Sequence, residues 1–514
     1  MSHRCPPFAL ASIMWLVLLT TGLAFAQQGA FQTLKVDGHA AATYRAVEPH
    51  MRVALEQMSD YFLPRKGQAF RVWEDHMMPD DLKELDFAPA GVLMRRWFVE
   101  FFKDQDPRTG LVPLGGVSRP SERIFTTEDM SKCMFLCTMQ KATPFLVWWP
   151  DDPQARERCL RMAEGFVKYF RAGRGQSFGL FTAVRTDTGF PESALTNVTS
   201  YGSVTAGLAR IGVTTGRRDF VELAKGIAGW VDDFSMKYCR GIVPEKFHAC
   251  GGFPNDLSSD GIYWVRALEE AYKLTGDAFY RDLIVKHGNV YFEQGWSEPY
   301  QHFSTHVEVD FEGFHPTGTM YGDTKYNYPQ LLCLLTRMTD DPKYMRRFDA
   351  LWATFMREAV NGWVPDALSQ GHRLERKGQP PEDKNQSLYL FILLDAWETT
   401  KDAKYLKMAG EWAEKLMTPD GKAHWRGDTI GRALIHYARA AGLVSRLEVR
   451  FPAAPEGPVQ ILAADGTTVF SEPIPTPAAV FYLAPGRYTL RAPGCEEAAV
   501  ELQAEEKKAV SLVK

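Results

Sequence analysis

Apolar and polar positions between residues 127 and 441 fall into two kinds of helical stretch that alternate along the chain. One kind is small and apolar on most sides: Thr127–Val147, Asn197–Thr214, Ser259–Leu274, Asp323–Met338, Gln386–Thr399 and Asp428–Ala441. The other keeps one charged face, as in Asp341-Pro-Lys-Tyr-Met-Arg-Arg-Phe-Asp-Ala-Leu-Trp and Ala403-Lys-Tyr-Leu-Lys-Met-Ala-Gly-Glu-Trp-Ala-Glu. A helix apolar all round belongs in an interior, whereas one with a solvated stripe belongs on the outside. The alternation therefore predicts paired inner and outer helices arranged as two concentric layers.

A repeated punctuation mark fixes the period of these pairs. Thr215, Thr275, Thr339 and Thr400 are each followed five residues later by an aromatic, namely Phe220, Tyr280, Tyr344 and Tyr405, at intervals of 60, 64 and 61 residues. Asp277, Asp341 and Asp402 stand two positions after the last three threonines, and Pro150-Asp-Asp-Pro reads as a degraded earlier copy. A period of this length is one helical hairpin, and a hairpin buries its apolar face only by packing on its neighbours. Ala40 to Phe62 and Gly91 to Lys103 are candidates to complete a sixth or a seventh pair.

From Ser445 the period changes. Short alternating runs at 447–451, 458–462, 468–470, 480–483, 487–490, 498–502 and 509–513, with turns at Asp465-Gly466 and Pro485-Gly486, predict seven strands in a small β-sandwich. At the other end, His3 and Arg4, an apolar run from Phe8 to Phe25 and the small-residue site Ala24-Phe25-Ala26 read as a secretory signal peptide over residues 1–26. The expected division is thus a signal peptide at 1–26, a helical catalytic domain at 27–444 and an accessory β-sandwich at 445–514. Secreted or periplasmic placement follows from that reading, and no later stretch is long and apolar enough to span a bilayer.

Composition adds exclusions. A formal charge of −4 over 514 residues gives no electrostatic case for nucleic acid. Seven of the eight cysteines lie beyond the expected signal peptide, an odd number that cannot all pair within one chain. Cys239 and Cys250 flank one loop and are the candidate disulfide for an oxidising compartment, while Cys133 and Cys137 are expected as buried thiols of an apolar helix.

The connections carry the functional signal. Inner-to-outer turns are tight, whereas the outer-to-inner segments Ala172–Thr196, Cys239–Ser258, Gly295–Gly322 and Asn361–Asn385 far exceed the ~4–6 residues usual between elements. Long loops tend to carry function, and these should emerge on the one face that also gathers the inner-helix N-termini.

On the threonine repeat, the inner and outer alternation and the export signal, residues from Ala40 to Leu443 resemble the (α/α) toroid superfamily of carbohydrate-active enzymes, the six-hairpin glycosidases and helical-barrel polysaccharide lyases. The resemblance implies a mainly α chain with an (α/α)6 toroid, or seven hairpins, and a cleft where long loops enter the inner helices. The stretch Leu483–Leu490 is similar to exported immunoglobulin-like accessory modules.

Candidate chemistry lies on the loop face. Glu128, Asp129, Asp256, Asp260, Asp323 and Asp383 stand at or just before inner-helix starts, where a cap or dipole partner is the ordinary role. Glycosidic cleavage needs two carboxyl groups, one protonated and one ionised. Asp260 and Asp323 are the preferred bases, since a helix N-terminus lowers a carboxyl pKa. The acid is expected from the Glu308 to Glu312 loop, with Glu308 and Asp310 as candidates, within His302-Phe-Ser-Thr-His306-Val-Glu308-Val-Asp310-Phe-Glu312, where an extended chain puts His306, Glu308, Asp310 and Glu312 on one side. That side could bind a divalent cation or form the solvated edge of a hairpin; no cofactor is otherwise required. Tyr263, Trp264, Trp296, His306, Tyr326, Trp363 and Arg373 are candidate substrate contacts, flat rings for sugar faces and a cation for a uronate.

These residues predict an oligo- or polysaccharide partner, with no membrane span, and leave oligomeric state open. The leading expectation is a glycoside hydrolase. A lyase acting on uronate-containing glycans, with Tyr263, Tyr326 or His306 as base, and a non-catalytic glycan-binding or scaffold protein are the alternatives. A sugar epimerase on the same architecture ranks below them.

Overall fold

The computed structural model describes residues 69–71, 88–113, 116–119, 124–126, 133–135, 138–172, 179–181, 183–193, 196–243, 246–247, 259–305, 307–309, 314–316, 318–369, 382–383, 385–418, 420–424, 427–474, 476–504 and 506–514. Its described residues divide into a larger unit, which holds 93–383, and a smaller one, which holds 88–92 and 385–514. The division between units falls ahead of the last three helices.

The chain is mainly α. Helix α1 (Ala88–Phe102) is followed in the larger unit by α2 (Thr138–Trp148), α3 (Pro153–Tyr169), α4 (Val198–Thr215), α5 (Arg218–Tyr238), α6 (Ser259–Thr275), α7 (Ala278–Gln294), α8 (Thr324–Thr339) and α9 (Lys343–Arg357). The even-numbered members are the small, apolar stretches read from sequence. Each of α4, α6 and α8 packs on the outer helix that follows it, and α2, α4, α6 and α8 pack in series. Burial separates the layers: α4 is buried from Tyr201 to Gly212, whereas α5 alternates buried Phe220, Ala224, Ile227 and Val231 with solvated positions. This is the hairpin alternation expected of the (α/α) toroid class.

The threonine mark has a local chemical cause. Thr275 Oγ1 donates to the Ala271 carbonyl at 2.7 Å and accepts from the Asp277 N–H at 3.2 Å, and Asp277 accepts from the Phe279 N–H at 2.9 Å. Thr339 and Asp341 repeat these bonds at 2.7, 3.3 and 2.9 Å, and Thr400 and Asp402 at 2.8, 3.1 and 2.9 Å. Each threonine thus closes one helix while the aspartate caps the next, worth about 1 kcal/mol per cap. Thr215 keeps its bond to Ile211, but Arg217 replaces the aspartate and pairs with Asp219 and Glu164, both at 2.7 Å. In the degraded copy Asp152 caps α3 through Gln154 and Ala155. The aromatics five residues on, Phe220, Tyr280, Tyr344 and Tyr405, are all buried.

Two expectations near the start of the series need correction. The stretch 127–147 is not one helix: Cys133–Phe135 is a strand paired with Ala183–Arg185, and α2 begins only at Thr138. Cys133 is therefore a strand residue, and its expected helical neighbour Cys137 lies outside the described residues.

The long connections are built from paired extended segments. Thr196-Asn197 pairs with Lys246-Phe247, joining the first two long loops, and Thr319–Tyr321 pairs with Ala367–Ser369, joining the last two. Backbone pairing across separate connections requires each joined pair to emerge on the same side, as their lengths implied. Cys239 closes α5 as a buried free thiol, and burial pushes its pKa up to about 11. Its expected disulfide partner Cys250 lies outside the described residues.

In the smaller unit α10 (Gln386–Thr400), α11 (Ala403–Met417) and α12 (Gly427–Ala440) pack on one another. The strands follow as β1 (Ser445–Arg450), β2 (Pro458–Ala463), β3 (Thr468–Pro473), β4 (Ala478–Leu483), β5 (Gly486–Arg491), β6 (Ala498–Leu502) and β7 (Lys507–Ser511). One sheet has the order β4-β1-β7, with β1 and β7 parallel, and the other β3-β2-β5-β6. Alternate residues of both sheets, among them Leu447, Val449, Ile461, Phe481 and Leu490, share one apolar core, which makes a β-sandwich.

Candidate active site

Three inner helices of the larger unit carry polar side chains on the face turned away from the outer layer. The outward faces are fixed by contact. Tyr201 of α4 stacks on Trp230 of α5 at 5.2 Å, Trp264 of α6 sets its ring edge-on to His287 of α7 at 5.2 Å, and Gly288 of α7 abuts Leu331 and Leu335 of α8. At about 3.6 residues per turn the opposite faces hold Ser203, Ala206 and Arg210 on α4, Tyr263, Arg266 and Glu270 on α6, and Tyr326 and Gln330 on α8.

These side chains interlock between helices. The Arg210 guanidinium meets Glu270 at 2.7 Å with both side chains almost wholly buried. Arg266 donates to Asn327 at 3.3 Å, and Tyr263 packs with Ala206 and Ala267. Gln330 Oε1 is buried without a hydrogen-bond partner among the described residues. Two guanidinium groups, a carboxylate and an amide are costly among apolar helices unless paired. On the adjoining side of α6, burial opposes ionisation of Glu269, yet Arg337 and Lys273 outweigh it and hold its carboxyl below the usual range.

At the end of α8 where a long loop enters, a second cluster forms. Asp323 occupies the N-cap position, but its side chain makes no capping bond; its carbonyl accepts from Tyr326 at 3.0 Å and Asn327 at 2.9 Å. The ordinary explanation for an acid at that position, side-chain capping, does not account for Asp323. Tyr326 donates its hydroxyl to Asp383, and Lys325 Nζ lies 2.6 Å from the same Asp383 oxygen.

The other expected residues divide into three groups. Asp260 is the second residue of α6, in the first turn, one turn before Tyr263. Glu308 lies in the strand Val307–Val309 opposite His315, in an antiparallel pair with Phe314–Pro316. His306, Asp310 and Arg373 lie outside the described residues, as do Glu128, Asp129 and Asp256.

Three expected sugar-stacking rings are packed instead. Trp264 is fully buried against α7, and Trp363 is fully buried where Val360 and Trp363 bridge a tight turn. Trp296 is covered by Phe303 at 4.9 Å and by the Arg347 guanidinium at 4.8 Å. Trp264 and Trp363 have none of their surface exposed and Trp296 only 7%, which leaves little ring face for a ligand. Arg210, Arg266, Glu270 and Gln330 were not singled out from sequence. Their signal was present as polar residues recurring at three- and four-residue spacing in otherwise apolar helices.

No family model matches the chain, and no curated protein sequence does. Solved structures do resemble it. Cellobiose 2-epimerase from Spirochaeta thermophila DSM 6192 aligns at 13% identity over 77% of this chain and 98% of that one, with a TM-score of 0.48. An α-1,2-mannosidase from Trichoderma reesei aligns at 12% identity over 73% and 83%, with a TM-score of 0.47. An unsaturated glucuronyl hydrolase specific for heparin aligns at 13% identity over 70% and 98%, with a TM-score of 0.43. All three scores lie below one half, and the helical hairpins themselves carry the fold class.

Proposed function

We propose that the protein is a carbohydrate-active enzyme, a glycoside hydrolase exported by the leader at residues 1–26. The observation that carries this reading is the polar face of Arg210, Tyr263, Arg266, Glu270 and Tyr326, buried with the half-buried Gln330 beside them among helices that need no polar groups for packing. Hydroxyl-rich ligands suit such a face, because guanidinium N–H groups meet hydroxyl oxygens while the Glu270 carboxylate and the Gln330 amide oxygen accept hydroxyl protons.

In this reading Asp323 is the ionised carboxylate, and an acid from the stretch Glu308 to Glu312 protonates the leaving oxygen. Asp323 draws a proton from water as that water attacks the anomeric carbon, and the bond to the leaving oxygen breaks as the acid delivers its proton. Asp260, at the corresponding end of α6, is the second candidate for the base.

One observation favours a lyase as the second reading. Tyr326 already donates to a carboxylate, and a tyrosine whose proton has an acceptor is the kind of base that removes a proton beside a uronate carboxyl. The two separate on a panel of yeast α-mannan, cellobiose, alginate, pectin and heparin oligosaccharides. The hydrolase reading expects new reducing ends without ultraviolet absorbance from an unsaturated product. Both signals together would establish the lyase, and binding without either would indicate a glycan-binding protein.

A further inference from the structure

Lysine is rarely buried, and when it is, its ammonium must be satisfied. Lys325, the second residue of α8, is 1% exposed and spends its donors in three directions: the Pro365 carbonyl at 3.0 Å, the Asp366 carbonyl at 2.6 Å and the Asp383 carboxylate at 2.6 Å. Three N–H groups meet three acceptors, a match between a trivalent donor and its surroundings. The acceptors come from two segments far from α8 in sequence, and these are tied to each other as well. Asp383 N–H donates to the Val364 carbonyl at 2.9 Å, and Asn361 Nδ2 reaches Glu382 at 2.7 Å.

The segment that Lys325 grips runs directly into Ala367–Ser369, the strand paired with Thr319–Tyr321. Those three residues stand immediately before Gly322 and Asp323. Asp323 is thus held from both sides: ahead of it by the strand pair, and behind it by α8, whose first turn Lys325 anchors to the same partner segment. We infer that Lys325 is a positioning residue, which fixes the backbone around Asp323 and, through Asp383, the hydroxyl of Tyr326. An anchor at this point sets where two groups of the proposed site can sit. This rests on the reading of Asp323 as a reacting carboxylate, although the anchoring itself is measurable without any substrate.

The test compares the full chain with Lys325→Met and with Lys325→Met/Asp383→Asn. The double variant leaves no uncompensated buried charge, so it folds even if the single one does not. Two readouts are taken: amide hydrogen exchange over 319–323 and 363–369, and kcat and KM on the panel glycan that wild type turns over. Anchoring predicts that both variants lose protection in both segments. Turnover should drop by about 100-fold, the scale of an ångström-sized misplacement, with KM little changed.

If the double variant instead restores wild-type protection and turnover, Lys325 only neutralises Asp383, and the inference is overturned. Unchanged protection in both segments of either variant overturns it too. The hydrolase reading stands or falls separately, on whether Asp323→Asn abolishes turnover while its amide protection stays intact.

Discussion

Arg210 on α4 and Glu270 on α6, 60 residues apart in sequence, form an ion pair of 2.7 Å with side-chain exposures of 7% and 2%. Removing one member leaves the other buried among apolar helices without its 2.7 Å ion-pair partner. Arg210→Met or Glu270→Leu alone should therefore cost about 3–5 kcal/mol, while Arg210→Met with Glu270→Leu should recover most of that loss. Urea unfolding midpoints check both; equal losses in the single and double variants would show that the pair is not coupled.

The threonine marks predict a graded series. Asp402→Ala removes a cap and should cost about 1 kcal/mol. Asp277→Ala should cost more, because Asp277 also accepts from Lys225 at 2.6 Å, and that bond, together with the Phe279 N–H, holds its carboxyl below the usual range. Thermal melts of the two variants side by side measure the difference, and an equal loss would assign Lys225 no part.

Acid should weaken the tie between α5 and α7. Burial opposes ionisation of Asp232, but hydrogen bonds from His287 and Lys286 and their charges outweigh it, leaving the carboxyl pKa below its ordinary value. A carboxyl with a depressed folded value adds stability that is present above its unfolded value of about 3.9 and is lost as pH falls through the folded one. Asp232→Asn should thus lower the Tm near neutral pH and flatten its fall below about pH 4. A wild-type acid limb in the variant would contradict this.

Cys239 should resist alkylation in the native protein, since the thiolate is the reactive form and burial pushes its pKa up to about 11. Iodoacetamide labelling with and without denaturant, read by peptide mass, checks it. Rapid native labelling, or a peptide linked to Cys250, would contradict the free buried thiol.

The hairpins were legible in sequence because their chemistry is local. A threonine that bonds back four residues, an aspartate that caps two residues on and an aromatic one turn later are all written within a short window, as at Thr339, Asp341 and Tyr344. The seven strands were legible for the same reason, through alternation within each run. The candidate site was only partly so. Asp323, Tyr326 and Asp383 could be placed at helix starts, but not the bond between the last two, which are 57 residues apart. The polar face was missed because a lone Arg or Glu in a helix, such as Arg266 or Glu270, looks like a solvated position until its neighbours are known. Trp264, Trp296 and Trp363 misled in the opposite sense, since a loop or helix-start tryptophan looks available until its burial is known.

Reducing-end release from the glycan panel by wild type and Asp323→Asn, measured together with product ultraviolet absorbance and Tm, tests the central claim most directly. The account predicts release by wild type without an unsaturated product. It predicts a loss of about 100-fold or more in the variant, as expected when a general base is removed, at a nearly unchanged Tm. Undiminished release by the variant, or no release from any glycan by wild type, would contradict it.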